Sequence, residues 1–201
     1  ELPWYIVIGN PAAGKSTAVL NSGLQFPFAD KGGAVIQGIG GTRNCDWFFT
    51  TEGILLDTAG RYSVHEEDRR EWLGFLDLLK RYRPKAPING IVVTVSVSEL
   101  TQNRPEFAIN LAKNLRQRVQ ELTERLEVFA PVYVMFTKAD LITGFTEFFG
   151  DSDKHERDRT GPPLERPVGR AERTHGRGLH CTLILASAAC SIFTTAAGSG
   201  A

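Results

Sequence analysis

Apolar residues change their spacing several times along the chain, and each change marks an element. Pro3 to Gly9, "PWYIVIG", is an unbroken apolar run with β-branched and aromatic residues, which predicts a buried strand. Gly14 to Gly23, "GKSTAVLNSG", predicts a helix stopped by Gly23. Cys45 to Thr50 and Gly53 to Asp57 flank the turn Thr51-Glu52-Gly53 and read as a β-hairpin. From Arg70 to Tyr82 the pattern becomes helical, with Trp72, Leu73, Leu76 and Leu79 on one face and Pro84 and Pro87 ending it. Ile88 to Val97 is a second β-branched strand. A long helix covers Pro105 to Val128, where Ala108, Leu111, Leu115, Val119, Leu122 and Leu126 recur at steps of three or four. Pro131 to Thr137 is another strand, and Leu141 to Phe149 reads as a turn and short helix. Between the first helix and the hairpin, residues 31–42 are glycine-rich and predict a mobile loop.

Strands alternating with helices predict an α/β fold: a mostly parallel sheet with helices on both faces. The hairpin adds one antiparallel edge strand. By analogy of fold, that order is Ras-like rather than RecA-like. Beyond Glu156 the periodicity is lost. From Arg157 to Ala201, Ala, Gly, Arg and Pro supply 22 of 45 residues, so 157–201 reads as an irregular tail. The plain expectation is a loop or disordered tail, and the sharper one is a frame-shifted translation of a GC-rich gene. The expected domain is therefore 1–156.

Charge excludes some classes. Lys plus Arg and Asp plus Glu are 23 each, so no net field draws the chain to nucleic acid or anionic lipid. The three cysteines, Cys45, Cys181 and Cys190, lack a CxxC spacing, which argues against a disulfide framework or zinc site and for a reducing compartment. The first residues, Glu-Leu-Pro-Trp, are not a signal peptide and lack a starting Met, which suggests a piece of a longer chain. Leu179 to Ala197 is long enough to span a bilayer, but Ser, Thr, Gly and Ala dilute it and argue against spanning.

The chemistry lies at strand ends. "GNPAAGKS", from Gly9 to Ser16, matches G-x-x-x-x-G-K-[ST] between a strand and a helix, the P-loop context. Such a loop wraps a β-phosphate with backbone N–H groups, so Gly9 and Gly14 need unusual backbone freedom, while Asn10, Pro11, Ala12 and Ala13 form the wrap. Lys15 is suited to the β- and γ-phosphates and Ser16 to Mg²⁺, with Thr17 beside them as a further nucleotide contact in the first turn of the helix whose positive end faces the anion. "LLDTAG" ends its strand at Asp57, a second Mg²⁺ contact, and offers the Gly60 N–H to a γ-phosphate. Thr42 precedes the hairpin where a first switch threonine would reach Mg²⁺ and γ-phosphate. "FTKAD" offers Asp140, whose carboxylate can accept two hydrogen bonds from guanine, with the stem of Lys138 along the base. Thr137 stands there where Asn is commoner. Ser187-Ala188 would be a last base contact. Arg61 follows the turn at the place of a water-orienting glutamine. A guanidinium only donates, so Arg61 either neutralises transition-state charge in cis or pairs with Glu66, Glu67 or Asp68 on the surface.

Together "LPWYIVIGNPAAGKSTAVLNSGLQFPFAD", "GIGGTRNCDWFFT", "LLDTAGRY", "EWLGFLDLLKRYRPKAPINGIVVTVSVSEL" and "PVYVMFTKADLITGFTEFF" resemble the cytoplasmic NTPase region of the TssM (IcmF) family, the inner-membrane component of bacterial type VI secretion systems. The resemblance runs from Leu2 to Glu156. It implies a membrane-anchored protein in complex with TssL and TssJ that docks the baseplate, its NTPase domain in the cytoplasm. The tail from Arg157 does not share it. The expected activity is slow hydrolysis of GTP (or ATP) with Mg²⁺, roughly 10⁻⁴ to 10⁻² s⁻¹ unassisted, as a conformational switch. The alternative is a nucleotide-stabilised scaffold without turnover.

Overall fold

The computed structural model describes residues 2–27, 44–102, 104–145 and, as backbone, 181–185. Six strands form one sheet: β1 (Trp4–Gly9), β2 (Cys45–Phe49), β3 (Ile54–Thr58), β4 (Gly90–Ser96), β5 (Val132–Thr137) and β6 (Cys181–Leu185). Their order is β2-β3-β1-β4-β5-β6. Only the β2–β3 pair is antiparallel; the other pairs are parallel. This is the mostly parallel P-loop sheet with one edge hairpin that the pattern predicts. Thr50 builds the hairpin turn: its Oγ1 donates to Gly53 O and accepts from the Glu52 and Gly53 N–H groups.

Alternation along the strands loads both faces of the sheet. Ile6, Ile8, Leu56, Ile91, Val93 and Val132 face one side. There α2 (Arg69–Tyr82) seats Trp72, Leu76 and Leu79, and α4 (Pro105–Leu126) seats Leu111, Leu115, Leu122 and Leu126. Val7, Leu55, Val92 and Met135 face the other side, against Val19 of α1 (Lys15–Leu20). Burial of two such faces is the main force holding the layers together.

Several elements differ from the pattern reading. Helix α1 ends at Leu20 rather than running to Gly23. The Ser22 hydroxyl donates to Val19 O at 2.6 Å and accepts from Leu24 N, which turns the chain. The fourth strand stops at Ser96, and a helix that the periodicity does not reveal, α3 (Val97–Gln102), follows at once. After β5 a single 3-10 turn, Ala139–Leu141, replaces the start of the expected helix, and residues 146–149 lie outside the described residues. The segment 157–201, read as an irregular tail with no convincing element before Cys181, contributes β6 from Cys181 onward, in parallel register with β5. The run Cys-Thr-Leu-Ile-Leu is a short apolar strand pattern, and a sheet edge is where so short a segment finds partners. The glycine-rich loop 31–42 lies outside the described residues. No helix among the described residues is long and apolar enough to cross a membrane.

Candidate functional site

The strand order reverses direction at β1, which lies between β3 and β4. In open α/β sheets the crevice beyond the strand ends at such a point is where ligands bind. The loop Gly9 to Ser16 occupies that crevice. Gly9 pairs with Thr94 of β4, and a Cβ on it would lie 2.4 Å from Thr94 O, so only glycine lets the loop leave the sheet here. Gly14 adopts φ 82° as the residue before α1, a left-handed turn suited to glycine. Ala12 also has positive φ, 58°, without being glycine, so the loop holds a strained residue at its exposed tip.

Inside the loop Lys15 is only 7% exposed. Its Nζ donates to the carbonyls of Gly9 (3.1 Å) and Asn10 (3.0 Å), which fixes the ammonium in the centre of the wrap. Burial lowers its pKa, and the charges of Asp57 and Glu99 act against that fall. Ser16 Oγ donates to Asp57 Oδ2 at 2.5 Å, joining the first motif to the end of β3. A hydroxyl and a carboxylate side by side are hard oxygen donors of the kind Mg²⁺ prefers, and Mg²⁺ takes few protein ligands when phosphates supply the rest. Pro11 and Thr17 are exposed at the rim of the loop, and Ala13 is buried beneath it.

Gly60 lies against the loop itself: a Cβ there would fall 2.2 Å from Pro11 N and 2.6 Å from the Asn10 carbonyl carbon. The turn expected to sense a γ-phosphate therefore closes directly on the phosphate loop. Thr137 closes it from the other side, its Oγ1 donating to Ala13 O at 2.5 Å and lying near the Gly14 backbone. It fastens the segment after β5 to the Gly9–Ser16 loop. Beyond it Lys138 has φ 57°, and Asp140 is exposed at the start of the 3-10 turn. Thr42 and Ser187-Ala188 lie outside the described residues.

Arg61 does not extend alone into the crevice. Its guanidinium donates to Asp68, to Glu71 Oε2 (2.6 Å), to Asn44 Oδ1 (3.0 Å) and to the Tyr62 hydroxyl, and lies 4.6 Å from the Tyr62 ring centroid. The surface-pairing reading thus holds for Asp68, with Glu71 in place of Glu66 and Glu67. Glu66 turns instead toward Arg69 and Arg118.

Two contributors escape a motif reading. Glu99, in the first turn of α3, acts on Lys15 from the end of β4. Asp46 is buried opposite Asp57 in the hairpin register. The signal for Glu99 is positional: β4 neighbours β1, so its C-terminal residues enter the same crevice.

With this geometry in hand, comparisons with known proteins give the following. Residues 65–160 match the IcmF-related N-terminal domain family. The type VI secretion system component TssM1 of Pseudomonas aeruginosa is 51% identical over 162 residues, covering 78% of this chain. The chain spans 15% of that relative's length. Among solved structures, the G domain of the T. maritima FeoB iron transporter is similar at 16% identity over 94% of this chain and 89% of that one, with a TM-score of 0.42. The signal recognition particle receptor SRb-GTP/SRX complex of Chaetomium thermophilum gives 14% identity, 94% and 91% coverage and a TM-score of 0.48.

Proposed function

The chain belongs to the IcmF-related (TssM) family, and from that premise we propose that it binds a nucleoside triphosphate with Mg²⁺, GTP before ATP, and hydrolyses it slowly. The bound state then acts as a conformational switch in a type VI secretion membrane complex. The observation that carries this reading is the contact of Ser16 with Asp57, which unites two motifs 41 residues apart beside the buried Lys15. A glycine turn with no ligand gives no reason for that convergence.

Each residue then has a task. Lys15, already centred in the loop, neutralises the β- and γ-phosphates. Ser16 and Asp57 would hold a Mg²⁺, which when bound would supply charge neutralisation. Gly60 donates its N–H to the γ-phosphate, and Thr42 would add a contact from the preceding loop. Asp140 accepts from the guanine edge while Lys138 covers the base and Thr137 holds that loop in place. The nucleotide motifs lie within 1–156, and β6 from the later segment adds the last strand of the same sheet. The wider setting follows the family: the cytoplasmic face of the inner membrane, with TssL, TssJ and baseplate proteins as partners.

Arg61 favours a second reading. Its guanidinium is a donor only, and Asp68 and Glu71 engage it, so it supplies no acceptor for an attacking water. A nucleotide-stabilised scaffold without turnover is consistent with that arrangement. Single-turnover release of γ-phosphate separates the two. The switch reading expects release above a Lys15→Ala control; release no faster than that control leaves the scaffold. Competition of labelled GTP with unlabelled ATP tests the base, and equal competition would remove the role of Asp140.

A further inference from the structure

Helix α2 carries more apolar surface than its own core uses. Trp72, Leu76 and Leu79 fill the core, while Phe75, Leu78 and Tyr82 form a second stripe at three- and four-residue steps. Leu78 is 53% exposed and Tyr82 76%. This stripe forms one wall of a groove of about 390 Å³; the other wall is Trp4, Cys45 and Trp47. The volume falls within the range of ligand pockets, roughly 300–1,000 Å³. The aromatic wall is already ordered. Trp4 and Trp47 meet edge to face at 5.1 Å, and the Arg83 guanidinium lies 4.0 Å from the Trp4 ring centroid. Ordered Trp, Tyr and Arg side chains are the residues that dominate binding energy at protein interfaces.

We propose that this groove docks an apolar peptide segment flanked by acidic residues. Charge complementarity selects the flank. Lys80, Arg81, Arg83 and Lys85 cluster where α2 ends beside the groove, in a chain of zero net charge. Of these, Lys80 is neutralised by Glu127 at 2.7 Å, and the acid nearest in sequence, Asp77, faces Arg125. Arg81 and Lys85 stand exposed at the surface. The concave shape fits a helix laid along a slot with side chains inserted at i, i+3, i+4 and i+7, rather than a flat bilayer surface.

The groove is wired to the phosphate-sensing turn. Asn44 lines it, accepts from Arg61 Nη2 at 3.0 Å through its side chain, and accepts from Ala59 N at 2.9 Å through its carbonyl. A shift of the Asp-Thr-Ala-Gly turn therefore moves a groove wall. That coupling rests on the nucleotide reading above; the docking does not.

The test selects random sixteen-residue peptides displayed against the whole 201-residue chain, then measures the consensus peptide by fluorescence anisotropy. The expected consensus has apolar residues at helical spacing with flanking Asp or Glu. Affinity should fall at least tenfold with Leu78→Asp and with the pair Arg81→Glu and Lys85→Glu. A peptide with its acids changed to Lys should recover binding to the latter variant. All three positions are exposed, and circular dichroism melts should match the parent. A consensus without acids, or binding indifferent to Leu78→Asp, overturns the proposal. Binding to phosphatidylserine vesicles that Leu78→Asp abolishes would assign the face to a membrane, and concentration-dependent dimers that it abolishes would assign it to a second copy; either overturns the peptide. Peptide binding that ignores Mg²⁺–GTP keeps the docking site and removes only the coupling. Lost nucleotide binding with intact peptide binding removes the nucleotide reading alone.

Discussion

Gly60 sets how closely the Asp-Thr-Ala-Gly turn rests on the phosphate loop. The nearest atoms to an added Cβ are backbone atoms of Pro11 and Asn10, which cannot rotate aside. Gly60→Ala should therefore destabilise the fold by about 1–3 kcal/mol, the usual range for overpacking. It should also push the turn off the loop, so that triphosphate and diphosphate bind more nearly alike. Thermal melts and paired competition assays would read both effects; an unchanged melt would mean that the turn has room to move. Beside it, the Arg61 hydrogen bond holds the Glu71 carboxyl below its ordinary value of 4.5, and Tyr62 adds to the effect. A lowered carboxylate pKa means that the ion pair's stabilisation is fully present above 4.5 and is lost as pH falls through the lowered value. A carboxyl-carbon titration of Glu71 should show a midpoint below 4.5 that returns to the ordinary range in Arg61→Ala. An unshifted parent midpoint would mean that the Arg61–Glu71 pair does not form in solution.

Between elements, a buried polar knot joins α2 to α4. Glu121 accepts from Trp72 Nε1 at 2.9 Å and Arg69 Nε at 2.8 Å, and pairs with Arg118 at 3.2 Å. Arg118 is 4% exposed and its Nε has no hydrogen-bond partner among the described residues. Glu121→Leu removes the nearer and buried counter-charge of the Arg118 guanidinium, leaving only exposed Glu66 at 3.8 Å, and should cost about 3–5 kcal/mol. Glu121→Gln keeps an acceptor for Trp72 and should cost less. Denaturant midpoints for the two variants check this order, and equal costs would show that charge is not what matters. The leucine stripe of α4 was legible in its three- and four-residue steps. The burial of Arg118 and Glu121 was not, because periodicity counts apolar positions and cannot see which polar neighbours a crossing helix covers. Helix α3 was illegible for a related reason: it follows a strand with no turn residue between them, so the apolar run conceals the change of period.

At the scale of the whole molecule, a ligand that binds only the folded state raises stability by mass action. Mg²⁺–GTP at a hundredfold excess over Kd should add about 2.7 kcal/mol. Lys15→Ala should lose that increment, because it removes the buried ammonium that the Gly9 and Asn10 carbonyls hold in the loop. A rise in melting temperature that persists in Lys15→Ala would point to a nucleotide site elsewhere. The sequence by itself determined the fold class, the hairpin, the two long helices and the G-x-x-x-x-G-K-[ST] pattern from Gly9 to Ser16, because strand and helix periods and such a pattern are local in the chain. It also singled out Gly60 and Thr137, but not what they touch. Tertiary structure decided that Ser16 meets Asp57, that Thr137 ties two loops together, that the Glu99 charge acts on Lys15, and that Arg61 faces Asp68 and Glu71. The first three join segments far apart in sequence and follow from strand order, which is not written in the period of any one strand, whereas the Arg61 pairs span only 7 and 10 residues and follow from how the chain after β3 folds back.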